Sequence, residues 1–279
     1  MSDPMGCKPT KIRLDELLVQ KELCASREQA RRVIMAGEVT VAGYPFLLKP
    51  STRVRGDAMI QVIQPPRYVG RGGEKLEKAL QVFHLDPTGM VFADIGASTG
   101  GFTDCLLQHG AQKVYAIDVG TGQLHERLRH DPRVVVIEQC NARFLKGSNL
   151  GEMVDGLTID VSFISLCLLF PPLHDLLRER GPLIALIKPQ FEAGRELVGK
   201  GGIVKKKETH EKVLKGVLTA AQEAGFSFRY LTCSPIQGRE GNIEFLGDWI
   251  KKADFFDKNR IEVIIKEVVE SAHETFMRS

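Results

Sequence analysis

From about residue 90 onward, apolar residues cluster in short solid runs instead of alternating with polar ones. "MVFADIG" (90–96), "KVYAIDVG" (113–120), "VVVIEQ" (134–139), "GLTIDVSF" (156–163) and "LIALIK" (183–188) each have strand length and are apolar on both faces. A solid run of this kind fits a strand covered on both sides, as in a parallel sheet. Between the runs lie stretches of helical spacing: 74–83, "GFTDCLLQHG" (101–110), "QLHERLRH" (123–130), a segment near 165–179, and 208–224. Strands near 226–234 and 243–249 and a closing amphipathic helix over 258–279 complete the pattern. Alternating strands and helices predict an α/β fold, a doubly wound and mostly parallel sheet with helices on both faces.

The first sixty residues follow a different rhythm. Leu14, Leu17, Leu18 and Leu23 in "RLDELLVQKEL" predict a first helix. "SREQARRVIMAG" predicts a second, with Ser26 as N-cap, Gln29 at capping-box spacing and Gly37 as C-cap. "EVTVAGYPF" (38–46) and "AMIQVI" (58–63) read as short strands around turns. "QPPRYVGRGG" is rich in Pro and Gly and reads as a linker. The expected division is a small α/β domain at 1–63, a linker at 64–73 and a large domain at 74–279.

Charge sharpens that division. The 279 residues carry a net charge of only +3, but residues 1–79 hold 14 Lys and Arg against 9 Asp and Glu. The remainder holds 24 against 26, so the basic excess lies at the front, where an anionic polymer is the natural partner. No apolar run reaches the length of a membrane span and the first residues are polar, which predicts a cytoplasmic protein. Cys7, Cys24, Cys105, Cys140, Cys167 and Cys233 are scattered without close pairing, so reduced thiols and no structural metal are expected.

"FADIGASTGGFTDCLL" is a strand, a turn of small residues and a helix. Gly96, Gly100 and Gly101 allow backbone to approach a ligand, and Asp94, Ser98, Thr99 and Phe102 share the turn. Asp118 ends the next strand, where an acid can accept both hydroxyls of a ribose, and Asn141 follows the third strand. The order suits an adenosine-bearing cofactor in a Rossmann-like site. The turn lacks a Walker lysine and departs from GxGxxG, which favours S-adenosylmethionine over a dinucleotide or a triphosphate.

With these residues in place, the chain resembles the TlyA-type proteins among the FtsJ-like 2′-O-ribose methyltransferases, over nearly its whole length. "RLDELLVQKELCASREQARRVIMAGEVTVAG" resembles the small RNA-binding domain shared with ribosomal small-subunit protein S-four. "RGGEKLEKAL", "ADIGASTGGFTDCLL", "AIDVG", "DVSFISL", "IKPQFE" and "GNIEF" resemble successive methyltransferase motifs. The resemblance implies methylation of ribosomal RNA, within a ribosomal subunit, at the ribose of cytidines. It also implies a Lys-Asp-Lys-Glu set at Lys75, Asp160, Lys188 and Glu244, without saying which lysine is the base. Lys188 ends a buried strand, where open α/β sheets place ligands, and Pro189 follows it as a stop. Arg13, Arg27, Arg31, Arg32, Arg53 and Arg55 are the candidate RNA grip of the front domain. Tyr44 and Phe46 are the few aromatics beside them, so readout of RNA shape and backbone is expected over base stacking. The glycine- and lysine-rich stretch 194–210 reads as a lid, an RNA-contacting loop or a plain connection. Two other readings stay open: an RNA-binding assembly protein without turnover, and a membrane-lysing protein, since the family also carries a haemolysin label.

Overall fold

The computed structural model describes residues 10–45, 48–62, 66–251 and 258–277, so Cys7 and Phe46 lie outside the described residues. The chain forms two units that divide between Arg67 and Tyr68.

The first unit contains β1 (Lys11–Arg13), α1 (Leu14–Gln20), α2 (Arg27–Met35), β2 (Val39–Val41), β3 (Arg53–Arg55) and β4 (Ile60–Val62). β1 pairs with β3 and β2 with β4, both antiparallel, with Ile12 opposite Val54 and Val41 opposite Ile60. Leu14, Leu17 and Leu18 from α1 meet Ala30 and Ile34 from α2 over Val39, Val41 and Val54. Ser26 caps α2, its Oγ accepting from Gln29 N at 3.2 Å. Gln29 Oε1 accepts from Ala25 N at 2.8 Å, one residue earlier than a capping box places it.

The second unit contains α3 (Gly72–Val82), β5 (Val91–Ile95), α4 (Gly101–Gln108), β6 (Lys113–Ile117), α5 (Glu126–Arg129), β7 (Val134–Ile137), α6 (Gly147–Leu150) and β8 (Gly156–Ile159). It continues with α7 (Phe170–His174), β9 (Pro182–Ile187), α8 (Pro189–Glu192), α9 (Lys207–Glu223), β10 (Phe226–Cys233), β11 (Phe245–Lys251) and α10 (Lys258–Phe276). Seven strands form one sheet in the order β10-β11-β9-β8-β5-β6-β7. β9, β8, β5, β6 and β7 are parallel, and β11 runs antiparallel between β9 and β10. In β9, Leu183, Ala185 and Ile187 enter the core shared with α7, α9 and α10. Ile184 and Leu186 enter the core on the other face, with Leu76, Leu80, Phe102 and Leu106 of α3 and α4. Burial on both faces is the physical reason for the solid apolar run.

Three local expectations change. β8 stops at Ile159, so "DVSF" is a loop at the end of the strand. The helix expected near 165–179 is a 3₁₀ turn at Leu166–Leu168 followed by the short α7, which carries a proline pair in its first turn. The Pro/Gly-rich stretch is not a uniform connection, because Tyr68 is buried in the second unit and α3 already begins at Gly72. No helix among the described residues is long and apolar enough to cross a membrane.

Candidate active site

Parallel strands open a crevice at their C-terminal ends, and the side chains of interest in the second unit collect at that edge. Lys188 follows the last residue of β9, and Pro189 occupies the first position of α8, where a missing N–H costs nothing. Asp160 follows β8, the neighbour of β9. β11 runs antiparallel to β9 with Phe245 opposite Ile187, so Glu244 falls at the same edge beside Lys188. α3 brings in Lys75. Its first turn packs closely against α4, since a Cβ on Gly101 would stand 2.9 Å from Gly73 N. A Cβ on Gly72 would stand 3.6 Å from Asp160 Oδ2, so the helix start lies next to the carboxylate.

These residues form two lysine–carboxylate pairs. Lys75 Nζ donates to Glu244 Oε2 at 2.5 Å, and both side chains are buried. Lys188 Nζ lies 2.7 Å from Asp160 Oδ1 and donates to Ser162 Oγ at 3.0 Å. The contact with Asp160 is an ion pair off the hydrogen-bond axis, since Oδ1 accepts no aligned hydrogen bond. The Lys188 pair is the more open one, with 11% and 22% of its side chains exposed against 8% and 4% for Lys75 and Glu244. The pair facing solvent is thus the one that ends the buried strand.

Beside Asp160 opens a cleft of about 860 Å³, within the range of small-molecule sites. Gly96, Ser98, Asp118 and Asn141 line it, together with Asp160, Ser162, Phe163 and Phe191. Gly96 sits at φ +82°, and a Cβ there would come within 2.5 Å of the Asp160 carbonyl oxygen. The turn after β5 therefore presses directly on the end of β8. Asp118 accepts from Ser98 N at 2.8 Å and Gly120 N at 2.7 Å, one bond per carboxylate oxygen, which leaves a lone pair on each.

The rest of the glycine motif faces elsewhere. Asp94 is fully buried, accepting from Thr103 Oγ1 at 2.7 Å and Thr158 Oγ1 at 3.0 Å, and it ties β5 to α4 and β8 behind the cleft. Burial pushes its carboxyl up to about 7 against those hydrogen bonds. Gly100 turns against Leu124 and Leu128, Gly101 packs on α3 and Phe102 is buried in the core; none of the three lines the cleft, nor does Thr99. Sequence reasoning passed over Ser162 and Phe163, although "DVSFISL" contains both. Phe163 is 92% exposed at φ +65°, a strained conformation for a bulky residue, and its ring lies 5.0 Å from that of Phe191. The stretch 194–210 is anchored in part: Asn242 accepts from Val204 N and donates to Gly202 O, each at 2.9 Å, two residues before Glu244.

In the first unit the arginines separate into two groups. Asp15, with no exposed side-chain surface, gathers three of them. Arg13 donates to it through Nε and Nη2 at 3.0 and 2.9 Å, Arg27 at 3.3 Å and Arg31 at 3.5 Å. The Arg13 hydrogen bonds, followed by those of Arg27, hold the Asp15 carboxyl well below the usual carboxylate range against the opposing effect of burial. Arg55 pairs with Asp57 at 2.7 Å. Arg32 and Arg53 are exposed and take part in no ion pair among the described residues.

Known proteins carry the same two parts. Residues 68–247 match the model of the FtsJ-like methyltransferase family, and residues 12–60 match that of the S4 domain. A provisionally named rRNA methyltransferase, YqxC of Bacillus subtilis, is 46% identical over 95% of each chain. The 16S/23S rRNA (cytidine-2′-O)-methyltransferase TlyA of Mycobacterium tuberculosis is 41% identical over 84% of this chain and 88% of its own. The solved structure of a provisionally labelled hemolysin from Streptococcus thermophilus shares 45% identity with a TM-score of 0.74, covering 98% of both chains. The chain therefore belongs to the FtsJ-like methyltransferase family, in the TlyA-type arrangement that places an S4 domain in front.

Proposed function

We propose that the protein methylates the ribose 2′-hydroxyl of a cytidine in ribosomal RNA, with a ribosomal subunit as substrate and the cytoplasm as its place of action. The observation that carries this reading is Lys188 held by Asp160 and Ser162, two residues that themselves line the cleft. A hydroxyl is a weak nucleophile, and a base placed to take its proton as the new bond forms is what the reaction needs. Lys188 is that base: unprotonated, its Nζ accepts the hydroxyl proton, and Asp160 and Ser162 fix where the amine stands. Glu244 holds Lys75 at the same edge, so a second ammonium is kept in one orientation near the reacting group. Lys188 is assigned the base over Lys75 because both of its partners, Asp160 and Ser162, line the cleft, whereas neither Lys75 nor Glu244 does.

The cleft suits S-adenosylmethionine. Asp118 has one free lone pair on each carboxylate oxygen for ribose hydroxyls, and Asn141, four residues past the end of β7, brings a side-chain amide to the same cleft for the adenine. When bound, the cofactor supplies a methyl group on a sulfonium centre. In the first unit, Arg13, Arg27 and Arg31 form a guanidinium patch for RNA phosphate, with Arg32 and Arg53 as added charge. Mapping 2′-O-methyl positions in ribosomal RNA from cells with and without the gene tests the reading. One or more cytidines lose the mark in the deletion; an unchanged map contradicts the proposal.

A further inference from the structure

Glu192 closes α8, four residues after Lys188, and is half-buried. Its carboxylate reaches across to the segment after β8: Oε2 accepts from Ser165 Oγ at 2.6 Å and Oε1 from Leu166 N at 2.8 Å. That segment begins with Asp160 and Ser162, the two groups that meet Lys188 Nζ. The same two stretches of chain are thus joined twice, at Lys188 through Asp160 and Ser162, and at Glu192 through Ser165 and Leu166. Between the joints, Phe163 lies against Phe191 and holds a backbone conformation that its bulk disfavours. Such a conformation persists only where the surroundings fix it, and the Glu192 bonds lie two and three residues downstream. Burial raises the Glu192 carboxyl, opposed by its bonds with Ser165 and Leu166. A half-buried carboxylate gives up hydration that its hydrogen bonds must replace.

We infer that Glu192 is a positioning residue for the proposed reaction, stapling the 160–166 segment to α8 so that Asp160 and Ser162 stay in register with Lys188. The inference rests on the function proposed above. It assigns Glu192 no contact with either substrate, so its removal acts on the rate of the chemical step more than on binding.

The test uses the purified full-length protein, tritiated S-adenosylmethionine, and small and large ribosomal subunits as acceptors. Wild type is compared with Glu192→Ala, Glu192→Gln, Ser165→Ala and the Ser165→Ala/Glu192→Ala double variant. Glu192→Ala is expected to lower kcat by about 10- to 100-fold through misplacement of the base, while KM for the subunit and Kd for the cofactor stay within about threefold. Glu192→Gln keeps an acceptor for Leu166 N and recovers part of the loss. The double variant is no slower than Glu192→Ala, because both changes cut one joint. A folded Glu192→Ala with kcat within about twofold of wild type overturns the inference, as does a loss that only tracks the folded fraction. If Glu192→Ala does not fold, Ser165→Ala, Glu192→Gln and their combination carry the same non-additivity test. A wild type that transfers no methyl group to either subunit overturns the underlying function and the staple with it, whereas an active wild type indifferent to Glu192 overturns the staple alone.

Discussion

Lys75 and Glu244, 169 residues apart in the chain, meet through a 2.5 Å hydrogen bond with both side chains buried. A buried pair of this kind contributes little net stability against apolar replacements, yet losing one member strands the other charge. Glu244→Ala is therefore expected to cost about 3–5 kcal/mol in denaturant unfolding. Lys75→Met combined with Glu244→Leu recovers most of that stability and still fails in methyl transfer. A double variant that regains both would make the pair a structural element only.

Asp94 gives the stability curve a slope. Its folded carboxyl sits at about 7, above its ordinary value of 3.8, so the folded state binds the extra proton between those values. Stability from this group is full below 3.8, declines as pH rises from there through about 7, and levels off above it. His210, lowered by burial from 6.5 to about 4, has the opposite slope between those two values and falls silent above them. From pH 6.5 to 8 the wild type should lose roughly 1 kcal/mol that Asp94→Asn does not lose. Thermal melts of both proteins across that range check this, and parallel curves would contradict it.

The two groups of arginines in the S4 domain should behave differently. Arg32→Ala and Arg53→Ala each remove a solvated charge, so each lowers the salt slope of RNA binding by about one and leaves folding intact. Asp15→Ala adds a net positive charge but releases Arg13, Arg27 and Arg31 from their common anchor. RNA binding is expected to weaken by roughly tenfold despite the added charge, in filter-binding titrations at several salt concentrations. Tighter binding by Asp15→Ala would show that total charge matters and fixed geometry does not.

How much of this was legible depends on the residue. The sheet was, because strands buried on both faces leave solid runs, and β9 puts Ile184 and Leu186 into one core while Leu183, Ala185 and Ile187 fill the other. β1 and β3 were not, because three residues with charges at the ends carry too short a pattern to register. The linker expected at 64–73 hid Tyr68, whose burial in the second unit no Pro/Gly count shows.

The four residues at the sheet edge were reached through a resemblance between motifs; the pairing of Lys75 with Glu244 and of Lys188 with Asp160 is a product of strand order and of register, which no local stretch encodes. Asp94 was grouped with the glycine turn because it adjoins it in sequence, but it precedes the turn inside β5, where it meets Thr103 and Thr158. Asp15 had a visible signal that charge counting passed over: a carboxylate between Leu14 and Leu17 on the buried side of an amphipathic helix needs cationic company. Glu192 sat in the quoted "IKPQFE", with nothing in the string to show that its partners lie 26 and 27 residues back.

The central claim is that Lys188, placed by Asp160 and Ser162, takes the proton of a ribose hydroxyl. Single-turnover transfer of tritiated methyl from S-adenosylmethionine to ribosomal subunits, comparing wild type with Lys188→Ala, tests it most directly. The account predicts label on ribose 2′-oxygens with wild type, and with Lys188→Ala a rate lower by at least about 100-fold while cofactor binding by calorimetry persists. Transfer by Lys188→Ala at the wild-type rate would contradict it.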